Sequence, residues 1–175
     1  MNDRDFSQKF RALYDQAVAR YGAGRRGAES FFNAGEKAFL AANGITPQHV
    51  YDYAEDFHGY DGEPGFNHAL AIELVRRDYF LNEQGGRASS AVLDPATMPA
   101  KTDTVRGIVW LPRILPKARA KLCGEMPTTM MYSCGGDRSF FKEHDIPPAE
   151  FLTLVRRHEK DAAIIDWVVR RSATK

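Results

Sequence analysis

The residues best suited to chemistry lie in the second half of the chain. Arg113 and Lys117 are four residues apart, so they share one face of a predicted helix. Guanidinium and ammonium groups bind carboxylates and phosphates, which makes this face a candidate anion site with Tyr132 or Asp137 nearby. The alternatives are a solvated helix surface or a structural ion pair between Arg113 and Asp137.

A second candidate is the thiol of Cys134, which precedes two glycines near the start of a predicted helix. Exposed backbone N–H groups and the helix dipole at such a position would make the thiol reactive. The alternative is a buried and inert cysteine, since free cysteines are often packed inside proteins. A nucleophile also needs a base, and the nearest histidine, His144, lies ten residues away, which is not a recognised spacing.

A third candidate is the polar loop HGYDGEPGFN with its flanking histidine. His58, Asp61 and His68 offer imidazole and carboxylate ligands for a divalent metal ion. Their spacing matches no recognised metal motif, and Asp and Gly are equally suited to a polar turn. We therefore predict no metal and no other cofactor, and these three residues are the alternative ligand set.

The elements that must position these residues are predicted to be helices. Apolar residues recur at helical spacing, and Thr46-Pro47 and Pro147-Pro148 have the residue types that begin helices. The predicted helices cover residues 6–21, 28–42, from 47, 68–80, 116–122, 137–143, from 148, and 161–171. Residues 82–106 are rich in Gly, Ser, Pro and Thr and show no period, which predicts a linker or an extended arm.

The two halves resemble each other when the chain is shifted by 101 positions. GEKAFL from Gly35 then falls on GDRSFF from Gly136. After a seven-residue gap, ALAIELVRR from Ala69 falls on AIIDWVVRR from Ala163. Because the matches lie on helix caps and core positions, we predict an internal duplication.

The predicted fold is therefore all-α. It is a small helical bundle built from two diverged copies of a three- or four-helix unit, related by a pseudo-twofold axis. The units cover residues 1–81 and 107–175, and the long irregular linker at 82–106 joins them. Units of this size bury little core alone, so we expect one shared core, with a ligand cleft between the copies. Trp110 lies where the linker meets the second unit and is expected to line that cleft.

The second half, from Gly107 onward, resembles the bacterial domain-of-unknown-function family numbered 5069. The resemblance lies in GIVWLPRILPKARAKLxG, YSCGGD, IPPAEF and DxxIIDWV, and the family has Asp where this chain has Pro116. The resemblance implies a small helical domain with no established activity. It supplies no catalytic residues.

Composition limits the function classes. The net charge is +1, from 24 basic and 23 acidic residues, which argues against a broad basic surface for nucleic acid. No apolar run reaches the length of a membrane span, and the polar start MNDRDFSQKF is not a secretory signal. We therefore expect a cytoplasmic, soluble protein whose two cysteines are reduced thiols.

The leading functional hypothesis is a helical binding or interaction protein that takes a small anionic ligand or a protein partner. The alternatives are an enzyme acting on a small anionic substrate between the halves, and nucleic-acid binding through the local basic helix. The sequence leaves enzyme activity and homo-oligomer formation open. The candidate ligand-contacting residues are Trp110, Arg113, Lys117, Tyr132, Cys134 and Asp137.

Overall fold

The structure is a computed structural model, and it describes residues 1–173. The chain divides into two compact units, one from Met1 to Ala88 and a second that begins at Ser89. Both units are mostly helical, which confirms the predicted helical fold class. The duplication, the pseudo-twofold axis, the shared core and the predicted unit boundaries stay predictions.

The helices have the following bounds in the described residues. The α-helices are α1 (Asp3–Gly22), α2 (Ala34–Ala41), α3 (Pro47–Gly59), α4 (Phe66–Asn82), α5 (Leu111–Cys123), α6 (Gly135–Glu143), α7 (Pro148–Arg157) and α8 (Asp161–Ser172). Short 3-10 turns lie at Ala28–Ser30 and Pro95–Thr97. No helix among residues 1–173 has the length and apolar character needed to cross a lipid bilayer.

The first unit is held together by an aromatic core along α1. Phe6 and Phe10 are fully buried, and their ring centroids lie 5.5 Å apart. Tyr14, one turn further along α1, donates its hydroxyl to the carbonyl of Pro64 at 2.7 Å. Burial raises the pKa of Tyr14 to about 12, with a further contribution from Asp15, so this hydroxyl stays a donor at neutral pH.

The second predicted helix of this unit is shorter than expected. The prediction of a continuous helix over 28–42 was wrong, because a 3-10 turn is followed by a new helix that begins at Ala34. Asn33 and Glu36 form a reciprocal capping box there, with bonds of 2.9 and 2.8 Å, which satisfies two N–H groups at the helix start. The start of α3 agrees with prediction, since Thr46 caps the backbone N–H of His49 and Pro47 occupies the first turn.

The second unit begins with a segment that the sequence predicted to be irregular. Leu93 donates its backbone N–H to the carbonyl of Glu125 at 2.8 Å, and Ser89 donates to the Glu125 carboxylate at 2.6 Å. A small antiparallel hairpin follows, with β1 (Thr104–Val105) paired to β2 (Ile108–Val109). The two residues between the strands both have positive φ, which suits a tight hairpin turn.

Helix α5 begins five residues before the predicted start at Pro116. It begins at Leu111, Pro112 lies in its first turn, and Pro116 lies inside the helix. A proline at the start costs no hydrogen bond, whereas Pro116 removes one from the ladder. The start near Pro116 was wrong because the helix is fixed at Trp110 by contacts with residues distant in sequence, described below.

The turn between α2 and α3 requires glycine at position 44. Gly44 has φ +72°, and a Cβ atom there would lie 2.5 Å from Cγ of Phe80. Gly24 also has positive φ, at +86°, but a Cβ atom there meets nothing within 4 Å. Both glycines therefore have a backbone conformation that other residues rarely adopt, but only at Gly44 would a Cβ atom clash with a neighbouring side chain.

We predict that Gly44→Ala destabilises the protein more than Gly24→Ala. The left-handed conformation costs about 1–2 kcal/mol in both variants, and displacement of Phe80 adds about 1–3 kcal/mol to Gly44→Ala alone. Urea denaturation measures both free energies of unfolding. Equal losses would contradict the close packing of Phe80 against this turn.

Candidate functional site

A buried carboxylate lies at the centre of the candidate site. Asp137 is the third residue of α6, and its side chain is fully buried. Its Oδ1 accepts a hydrogen bond from Nε1 of Trp110 at 2.9 Å. Its Oδ2 accepts bonds from Nζ of Lys117 at 2.5 Å and from the backbone N–H of Ser133 at 2.9 Å. We call Trp110, Lys117, Ser133, Cys134 and Asp137 the Asp137 cluster.

Lys117 supplies the positive charge of this cluster. It lies on α5 and is 3% exposed. An ammonium group removed from water in this way needs a close partner, and Asp137 provides it. Arg113, one turn earlier, donates to the carbonyl of Pro99 at 2.6 Å. Asp137 thus pairs with Lys117, whereas the sequence suggested Arg113 as its structural partner.

Two residues of the cluster have strained backbone conformations. Trp110 has φ +71° and Ser133 has φ +67°, a region that residues other than glycine rarely adopt. Each of them donates a hydrogen bond to Asp137. The carboxylate therefore helps to hold two backbone positions that are unfavourable alone, a type of strain that often marks functional sites.

Gly136 makes room for the indole ring of Trp110. A Cβ atom at Gly136 would lie 2.7 and 2.8 Å from two ring carbons of Trp110. Only glycine allows the ring to lie against the first turn of α6 and reach Asp137. The glycine before Asp137 is thus a packing requirement of the site.

Cys134 brings the cluster to the surface. It is the N-cap residue of α6, it is partly exposed, and its side chain makes no capping hydrogen bond. Nζ of Lys117 lies 3.4 Å from its Sγ. The ammonium group of Lys117 thus contacts both the buried carboxylate and the partly exposed sulfur.

Tyr132 makes its side-chain hydrogen bond outside the Asp137 cluster. Its hydroxyl donates to the carbonyl of Pro148 at 2.9 Å, and its ring packs on Phe141 with centroids 5.9 Å apart. Burial, with a smaller contribution from the charge of Asp137, raises the pKa of Tyr132 well above its ordinary value. Tyr132 therefore acts as a neutral donor that ties the segment before α6 to α7.

The structure thus brings together four of the six candidate residues. They are Trp110, Lys117, Cys134 and Asp137, while Arg113 and Tyr132 make their hydrogen bonds elsewhere. The prediction missed Ser133, which contributes through its backbone N–H. Its position directly before Cys134 and the two glycines was the available signal.

His144 does not serve as a base for Cys134. It follows the last turn of α6, whereas Cys134 precedes the first, so the helix separates them by about 15 Å. The ring of His144 has Nδ1 at 2.8 Å from Oγ of Ser172 and packs against Phe140. The side chain that donates to the thiol is that of Lys117.

The polar loop of the first unit does not form a metal-binding group. Nε2 of His58 lies 2.9 Å from the carbonyl of Val18, and its ring stacks on Tyr21. Within residues 1–173, no three His, Cys, Asp or Glu side chains are arranged to hold a metal ion. The alternative set of His58, Asp61 and His68 is therefore not brought together.

We predict a strong energetic coupling between Lys117 and Asp137. Lys117→Met or Asp137→Asn alone leaves a buried polar group without its partner and should cost about 3–5 kcal/mol. The double variant should lose less stability than the two single variants lose together, by about 1–3 kcal/mol. Denaturant unfolding of the four proteins measures this coupling.

The matched control is the more exposed pair of Arg119 on α5 and Asp161, whose side chains are 34% and 51% exposed and lie 2.5 Å apart. The same cycle there should give a coupling of about 0–1 kcal/mol, because water screens both charges. Equal coupling energies for the two pairs would contradict the claim that Lys117 and Asp137 compensate each other's buried charge.

One comparison with known proteins finds a match, and the match lies within the second unit. Residues 97–175 match the model of a family described as Domain of unknown function (DUF5069). No curated protein and no solved structure matches the chain. The match includes every residue of the Asp137 cluster, and it confirms the resemblance to this family in the second half of the chain.

Proposed function

We propose that the second unit binds a small anionic ligand at the start of α6. Cys134, Gly135 and Gly136 face the ligand, and Lys117 supplies positive charge from beneath them. The observation that carries the proposal is the position of the Lys117 ammonium group, 2.5 Å from Asp137 on one side and 3.4 Å from the Cys134 sulfur on the other.

The electrostatics of this position favour an anion. Asp137 is buried with donors on both oxygens, whereas the cation of the pair contacts the residue that reaches the surface. The N-terminus of α6 adds the partial positive charge of its first N–H groups. These contributions point the same way, and charges in a poorly solvated position act more strongly than in water.

The geometry also favours binding because hydrogen bonds within the protein already hold the site residues in place. Trp110 and Ser133 fix Asp137, and Asp137 fixes Lys117. Cys134, Gly135 and Gly136 are partly exposed, so a ligand can reach them. A preorganised site loses little conformational entropy when it binds.

The first turn of α6 has no side-chain cap. Asn, Asp, Ser and Thr are the favoured N-cap residues, and cysteine is a poor substitute. Asn2, Asn33 and Thr46 cap three of the four α-helices of the first unit with side-chain bonds, whereas the N-cap residues of α5 to α8, Cys134 among them, make none.

We predict that inorganic phosphate or a small dicarboxylate shifts the backbone amide signals of residues 134–137 in a saturable manner. Two-dimensional NMR titration at constant ionic strength measures the effect. The double variant Lys117→Met/Asp137→Asn should lose the saturable shifts, because it removes the ammonium group and leaves no unpaired charge behind.

The control variant is Lys142→Met, which removes an exposed lysine from the same helix. It should leave the titration unchanged. Shifts that persist in the double variant, or that saturate at residues of another helix, would count against the proposed site.

A second candidate function is an enzyme that uses Cys134 as its nucleophile. The contact of 3.4 Å between Lys117 and the sulfur favours it, since the ammonium group would stabilise a developing thiolate. Asp137 would act as a positioning residue for Lys117. Under this hypothesis a bound compound is converted over time, and Cys134→Ser abolishes the conversion while binding remains. Binding of a protein partner, self-association and nucleic-acid binding stay predictions.

A further inference from the structure

We propose that Cys134 and Lys117 form a reversible oxidative cross-link, a sulfur–nitrogen bond that peroxide produces and thiols remove. This goes beyond ligand binding, because it makes the pair a modification site with hydrogen peroxide as its reactant. The proposal rests on three groups in one arrangement, which are the thiol, the ammonium group and the buried carboxylate.

The geometry places the two reacting atoms in contact. Sγ of Cys134 and Nζ of Lys117 are 3.4 Å apart. Lys117 lies on α5, whereas Cys134 is the N-cap residue of α6. Asp137 holds Nζ in place at 2.5 Å. Cys134 is partly exposed, so peroxide reaches the sulfur, whereas Lys117 is 3% exposed and offers its nitrogen mainly to its neighbours.

The chemistry proceeds in two balanced steps. In the first, the thiol and hydrogen peroxide give a sulfenic acid and water, so that the sulfur loses two electrons and the peroxide oxygens gain them. In the second, the nitrogen of Lys117 displaces the sulfenic hydroxyl, and an S–N bond replaces the S–O bond. Of the two protons that leave nitrogen, one departs with the hydroxyl as water and one goes to the Asp137 carboxylate. This second step involves no change in oxidation state.

Lys117 is a better placed partner for the sulfenic acid than the other cysteine. Cys123 is the last residue of α5, six residues after Lys117, which places it about 9 Å further along the helix. Both cysteines are free thiols in the structure. A sulfenic acid also condenses with nitrogen nucleophiles, and Nζ of Lys117 is in contact with the sulfur.

The test is mass spectrometry of a Cys123→Ser protein, treated with hydrogen peroxide. We expect a species that has lost two hydrogen atoms, that resists alkylation, and that dithiothreitol returns to the starting mass. Proteolytic mapping should join the peptide of Lys117 to that of Cys134. This direct identification of the link does not depend on the stability of any variant at Lys117.

Two further proteins serve as controls. Lys117→Arg keeps a cation beside the sulfur but should accumulate sulfenic acid, detected as a dimedone adduct at Cys134. Lys142→Met should form the link as the parent does. A parent protein in which Cys134 is unmodified by peroxide would overturn the proposal. Persistent sulfenic or sulfinic acid with no joined peptide would overturn it equally.

Discussion

The buried carboxylate of Asp137 is the constraint on which the second unit depends. A charge in this position is tolerated only if hydrogen bonds and an opposite charge replace water, and three donors do so. Those donors come from the residue before α5, from α5 itself and from the residue before Cys134. One side chain thereby determines where α5 begins, how the segment before α6 turns and where the ammonium group of Lys117 lies.

The first unit also has an acidic residue in the first turn of a helix, Glu36 of α2. Helices α2 and α6 begin 101 residues apart, as do α3 and α7, so Glu36 and Asp137 are both third residues of their helices. This spacing favours the predicted duplication. Glu36 accepts the backbone N–H of Asn33 in an exposed capping box, whereas Asp137 is buried and holds a lysine. Glu36 therefore caps a helix, whereas Asp137 binds a buried lysine, and the proposed function depends on that lysine.

Local signals in the sequence were sufficient for most helices and insufficient for the site. Thr46-Pro47 and Pro147-Pro148 marked helix starts because capping and proline geometry are local properties. The start of α5 was misplaced because Trp110 adopts a left-handed conformation and bonds to Asp137, 27 residues later. Residue types marked Lys117, Cys134 and Asp137 as candidates. Their pairing depends on distances between helices, which spacing along one chain does not contain.

Hydrogen exchange at Trp110 and Ser133 tests the central claim most directly. The indole N–H of Trp110 and the backbone N–H of Ser133 both donate to Asp137, so NMR should show slow exchange for both, comparable to the buried helical amides of the same unit. Exchange of either hydrogen at the rate of an unprotected amide would contradict the account. It would mean that Asp137 does not hold the two segments that place Lys117 beside Cys134.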